Sequence, residues 1–114
     1  MKILFVADRL ETFKIEKDTT FAMMRECNRR GMEVFACEVQ DLFWLSGDLV
    51  KASASRLSLD LTPQAQWFTR GEAINHALKD FSAVLMRKDP PFDVEYFYAT
   101  HLLQHASKEG ARVF

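Results

Sequence analysis

Two hydrophobic periods divide this chain into strands and helices. Lys2-Ile3-Leu4-Phe5-Val6-Ala7 is a continuous β-rich apolar run, the pattern of a strand buried on both faces of a parallel sheet. Residues 9–17 form a polar loop. Asp18 is placed to cap a helix over 19–30, in which Phe21, Met24 and Cys27 recur every third residue and face inward. Gly31 is a natural stop. Residues 32–39 read as a second strand, which completes a βαβ unit with a right-handed crossover.

The middle of the chain has a different period. After the turn signal Ser46-Gly47-Asp48, Leu57, Leu59 and Leu61 alternate with Arg56, Ser58 and Asp60. Period two means one buried and one solvated face, so 42–62 is expected to be an antiparallel hairpin ended by Pro63. Trp67-Phe68 is expected to be a short edge strand, 72–79 to be weakly helical, and 82–86 to be the next core strand. Asp93 then caps a helix to about Glu109. Val94, Phe97, Tyr98, His101, Leu102 and His105 fall on one face of it, taken here as the inward face. After Gly110 a last strand begins at Ala111, and the chain stops inside it at Phe114. Such an end is expected of a piece cut at a domain boundary, or of one whose neighbouring segment is missing. The pattern as a whole predicts an α/β unit: a mainly parallel sheet flanked by helices, with an antiparallel hairpin insertion.

Composition narrows this picture. A chain of 114 residues makes one domain, spanning 1–114. With 48% apolar and 27% charged residues it is expected to fold. A formal net charge of −1 argues against a general nucleic-acid binder, and no apolar run reaches the ~20 residues of a membrane span. The first strand is too short and too soon followed by Asp8 to be an export signal, so a cytoplasmic location is expected. Cys27 and Cys37 fit neither a zinc nor a CxxC spacing and read as small buried hydrophobes.

The candidate chemistry lies in two loops. Met86-Arg87-Lys88-Asp89-Pro90-Pro91-Phe92-Asp93 runs from a buried strand to a helix, where open α/β sheets place their ligands. Two consecutive prolines stiffen it. Both this loop and the first follow parallel strands, so they belong at the same sheet edge. There the first loop offers Asp8, Lys14, Lys17, Asp18, Thr19 and Thr20, and the helix N-terminus at Thr19–Thr20 suits a carboxylate or phosphate. Arg87 has two readings: a guanidinium clamp on a ligand carboxylate, or a salt bridge to Asp89, Asp93 or Asp8 that only stiffens the loop. Lys88 reads as solvated, and Asp89 as orienting Arg87 or capping a turn. His101 and His105 have chelate spacing, but without a third ligand they read as packing residues. Neither GxGxxG nor GxxxxGK[ST] is present, so no nucleotide site is signalled. No nucleophile set is recognisable either.

The same segments resemble a known family. Lys14-Ile15-Glu16-Lys17-Asp18-Thr19-Thr20-Phe21-Ala22-Met23, the proline motif at 86–93 and Tyr98-Ala99-Thr100 are similar to the N-terminal domain of prokaryotic glutathione synthetases. The resemblance implies a Rossmann-like pre-ATP-grasp domain. It implies ATP-dependent ligation of γ-glutamylcysteine with glycine through an acyl phosphate. ATP and Mg²⁺ would serve the full-length enzyme on ATP-grasp domains absent from this chain. This domain would bind neither, would be inactive alone, and would contribute to a homo-oligomer. It would hold the dipeptide through Asp18, Thr19, Thr20 and Arg87. The family often has Ser where Thr19 stands, and Lys where Glu16 stands. The stretch 69–80 fits the family poorly and is expected to be a variable loop. Two other readings stand beside this one: the same domain from another ATP-grasp carboxylate–amine ligase, and a stand-alone binding module without catalysis.

Overall fold

The apolar run 2–7 forms the central strand of a mixed β-sheet with one helix on each face. The computed structural model describes residues 1–63 and 65–114. Its elements are β1 (Lys2–Ala7), α1 (Thr19–Arg29), β2 (Glu33–Cys37), β3 (Leu42–Phe43), β4 (Lys51–Leu59), β5 (Phe68–Ala77), β6 (Ala83–Arg87) and α2 (Val94–Lys108). Strand β1 pairs in parallel with β2 on one side and β6 on the other. Val113 extends the parallel part by one bridge to Val84.

Period-two alternation splits β1 between two cores. Ile3 and Phe5 pack with Met24 of α1, Val34, Leu57 and Phe68. Leu4 and Val6 pack on the other face with Leu102, Leu103 and Ala106 of α2. Leu4, Phe5 and Val6 are fully buried, and burial of such side chains contributes roughly 1.5–3 kcal/mol each.

The sheet is mixed rather than mainly parallel. Its longest ladder is antiparallel, β4 with β5, from Lys51 opposite Ala77 to Leu59 opposite Phe68. On its other edge β4 pairs antiparallel with β3 and β2. For β3 and β4 the reason is the short connection at Gly47, whose φ of +80° reverses the chain. A connection that short joins antiparallel strands only, since parallel ones need a long crossover.

Three local expectations need correction. The hairpin expected over 42–62 survives as the brief β3–β4 pair, but the main hairpin is β4–β5. The stretch 72–79, expected to be weakly helical, lies in β5 up to Ala77, followed by one 3₁₀ turn at Leu78–Asp80. Its ladder with β4 outweighs a weak helix propensity. The same residues therefore form a strand, not the variable loop that the resemblance implied. A register shift places Gly71 and Glu72 opposite Arg56. A Cβ at Gly71 would lie 3.3 Å from the Arg56 carbonyl oxygen, so a close backbone approach favours glycine there.

The third correction concerns α2. Its inward face is Ala99, Leu102, Leu103 and Ala106. Of the stripe expected to face inward, Leu102 is buried and His105 half-buried. Val94, Phe97, Tyr98 and His101 are exposed. Both stripes satisfy the helical period, and period alone does not say which one meets the sheet. Small Ala99 and Ala106 let the helix sit close to the strands.

Candidate functional site

The loops after β1 and β6 meet at the carboxyl edge of the parallel strands, as their topology requires. Ala7 is in register with Arg87, so the residues that follow leave the sheet side by side. The Asp89 backbone N–H donates to Asp8 Oδ2 at 2.8 Å, and Lys88 Nζ lies 2.9 Å from Asp8 Oδ1.

The N-terminus of α1 joins them. Asp18 Oδ1 accepts from the backbone N–H groups of Thr20 at 2.8 Å and Phe21 at 3.2 Å, the capping role expected of it. Thr20 is buried, and its Oγ1 accepts from Arg87 Nε at 3.2 Å. Asp93 caps α2 in the same way, taking the Tyr96 N–H at 3.0 Å.

Asp18, Thr19, Thr20 and Arg87, the four residues singled out from sequence, all line one open cavity of about 420 Å³. Lys14 and Lys17 line it as well. Among the described residues, Lys14, Lys17 and Arg87 take part in no ion pair. The salt-bridge reading of Arg87 towards Asp89, Asp93 or Asp8 is therefore not what the geometry adopts. Three cations and the positive end of α1 converge on one cavity, and one of its acids, Asp18, is committed to the helix cap. That arrangement suits an anion such as a carboxylate. A second cavity of about 430 Å³, lined in part by Asp8, Glu38 and Lys88, shares Thr12, Asp18 and Asp89 with it.

Sequence reasoning misplaced Lys88. Its side chain is only 18% exposed and is held by Asp8. The hydrogen bond to Asp8 raises its pKa, outweighing a smaller desolvation effect. The signal was available: Asp8 ends β1 as Lys88 leaves β6, and adjacent parallel strands bring them together. Glu11 and Arg70 offered no such signal. They pair at 2.7 and 3.2 Å across 59 residues of sequence, joining the first loop to β5. Hydrogen bonds from Arg70 hold the Glu11 carboxyl at about 2, well below its usual range.

Of the remaining candidates, His101 is exposed, and His105 and the cysteines pack. His105 lies against Trp44 with ring centroids 4.6 Å apart, and its Nε2 is 3.3 Å from Glu109 Oε2. Among the described residues no group of three His, Cys, Asp or Glu is placed to hold a metal ion. Cys37 is buried and Cys27 half-buried; both are unpaired, and burial raises both thiol pKa values.

Known proteins are similar to this chain over nearly its whole length. The glutathione synthetase of Ralstonia nicotianae is 49% identical over 114 residues, covering 100% of this chain and 35% of that protein. That of Neisseria meningitidis serogroup A is 46% identical over 117 residues, with 100% and 36% covered. That of Salmonella typhimurium is 38% identical over 113 residues, with 99% and 35% covered. The chain thus spans about a third of the length of the curated relatives it matches. The profile of the family described as prokaryotic glutathione synthetase, N-terminal domain, matches residues 1–114, so this chain belongs to that family.

Proposed function

We propose that residues 1–114 are the Rossmann-like, pre-ATP-grasp domain on the dipeptide side of a glutathione synthetase, and that its cationic cavity receives a carboxylate of γ-glutamylcysteine. In the ligation, a phosphoryl group passes from ATP to the cysteinyl carboxylate and ADP is released. The amine of glycine then attacks that acyl phosphate, losing a proton as phosphate leaves. Mg²⁺ fits poorly here, because the cavity offers lysines and an arginine rather than a set of carboxylate ligands. For ATP, the chain carries neither of the glycine motifs that cradle nucleotide phosphates. We therefore assign them to ATP-grasp domains outside this chain, so that the chain alone binds neither and is inactive. Free thiols on the chain and a thiol substrate suit a reducing cytoplasm.

The observation that carries this reading is Arg87. Thr20 holds its Nε, and among the described residues no carboxylate neutralises it. Thr20, Thr19 and the capped helix end shape the cavity around it. If the guanidinium clamps a carboxylate, Arg87→Lys suffers nearly as much as Arg87→Ala, because a point charge does not reproduce bidentate geometry. Loss of such a contact costs on the order of 1.5–3 kcal/mol, or about 10- to 150-fold in affinity. In a complete synthetase carrying this domain, the KM for γ-glutamylcysteine should rise by that factor while Tm stays unchanged. An unchanged KM with a large fall in Tm would make Arg87 a structural residue and end the clamp reading.

Assembly rests on a second surface. Val94, Phe97 and Tyr98 form an exposed apolar stripe on α2, and beside it the Phe92 ring is tilted against Tyr96 with centroids 4.4 Å apart. Exposed patches of this kind mark interaction faces, and we assign this one to contact between copies of the protein. Sedimentation of Phe97→Asp should then show a smaller species than the parent; identical sedimentation would count against the assignment.

A further inference from the structure

Asp8 stands just past β1, and its two carboxylate oxygens hold two different groups of the loop that follows β6. Oδ2 accepts the Asp89 backbone N–H at 2.8 Å, and Oδ1 faces Lys88 Nζ at 2.9 Å. Lys88 Nζ also donates to the Asp89 carbonyl oxygen at 2.8 Å, which closes a small ring. The side chains of Lys88 and Asp8 are 18% and 27% exposed, so water screens this pair less than a fully exposed one.

The sequence explains why this anchor matters. Pro90 and Pro91 carry no backbone N–H. Asp89 is therefore the last residue with an amide to donate before Phe92. A carboxylate from β1 takes that amide. Arg87, two residues earlier, is fixed in register with Ala7, and its guanidinium is steadied by Thr20 from α1. The main chain around Arg87 is thus tied down on both sides.

We propose that Asp8, together with Lys88, is a positioning residue that latches the 87–89 segment and sets the direction in which Arg87 presents its guanidinium to the substrate carboxylate. The proposal rests on the reading of Arg87 as the clamp. It differs from a contact between Asp8 and the substrate, which the position of Asp8 beside the second cavity also allows. Coupling to Arg87 separates the two, because residues that act through one another are not additive.

The test uses a complete synthetase with Asp8→Ala, Asp8→Asn, Arg87→Ala and the double variant Asp8→Ala/Arg87→Ala. Asp8→Ala should raise the KM for γ-glutamylcysteine about 10-fold, the scale on which a misdirected group is felt, with the KM for ATP unchanged. Asp8→Asn keeps an oxygen for the Asp89 N–H and should recover part of that loss. In the Arg87→Ala background, Asp8→Ala should add less than about 2-fold. A full loss from Asp8→Ala in that background would overturn the latch and make Asp8 an independent contact. An unchanged KM in Asp8→Ala would overturn it too. If Arg87→Ala alone leaves the KM unchanged, the clamp reading fails and the latch with it; a strong Arg87→Ala effect with an additive Asp8→Ala effect sinks the latch alone. Should Asp8→Ala not fold, Asp8→Asn and Lys88→Met in both backgrounds give the same comparison.

Discussion

Strands β1 and β5 belong to one sheet but sit in different surroundings. β1 is buried from Ile3 to Ala7 with packed side chains on both faces, while β5 is exposed from Thr69 to Asn75. β1 has a parallel neighbour on each side, whereas β5 pairs with β4 at the far edge. The contrast teaches where a ligand site can be built. The loop that leaves β1 starts from a strand packed on both faces, and the loop that leaves β6 starts in parallel register beside it, so their polar groups meet at fixed distances. The β4–β5 arm contributes ladder hydrogen bonds and a lid over one core through Phe68, while most of β5 is exposed.

The largest expected effect tests this contrast directly. Phe5→Ala in β1 should destabilise the fold by about 3–5 kcal/mol, through lost transfer energy and the cavity left behind. Ile74→Ala on β5, at 54% exposure, should stay within about 0.5 kcal/mol. Equilibrium denaturant unfolding of the two variants measures both, and similar losses would erase the distinction between the centre and the arm.

A smaller effect should sharpen the reading of the centre. Asp18→Ala removes the cap from α1 and should cost about 1 kcal/mol, with Asp18→Asn retaining most of the stability. Thermal melting and helical circular dichroism provide the measurement. If both variants melt like the parent, the cap is dispensable and the end of α1 is held by packing alone.

The smallest effect lies where the two regions touch. Glu11 and Arg70 join the first loop to β5, and the folded Glu11 pKa of about 2 lies below its ordinary 4.5. A depressed folded pKa stabilises the fold above the unfolded value and loses that contribution as pH falls through the folded one. The side chains are 41% and 46% exposed, so solvent screening limits the pair to less than about 1 kcal/mol. The stability gap between the parent and Glu11→Gln should be full above pH 4.5 and close as pH falls towards 2. A gap that persists unchanged at pH 2 would mean that the carboxylate charge is not its source.

Much of this was legible in the chain. The run at 2–7, the caps Asp18 and Asp93, the turn at Gly47 and the extents of both helices all rest on local signals: periodicity, capping chemistry and φ preferences. That the loops of Thr20 and Arg87 share one sheet edge followed from topology, since both come after parallel strands; the hydrogen bond between the two residues did not. The proline motif carried the family resemblance, and the family match covers the same residues.

Tertiary structure decided what local signals leave degenerate. Residues 72–77 have a weak helical pattern, but β4 offers a ladder of hydrogen bonds, and the strand wins. Two stripes of α2 have the same period. The one that meets the sheet is the one whose alanines allow close approach, leaving Phe97 and Tyr98 outside. Adjacent parallel strands bring the loops of Asp8 and Lys88 to one edge, but the folded loop is what sets Lys88 2.9 Å from Asp8, 80 positions earlier in the chain. By itself the sequence determined which segments form elements and which residues carry charge at the site edge, because those depend on near neighbours. Which partner each face and each charge takes depends on groups far apart along the chain, and only the folded packing brings them together.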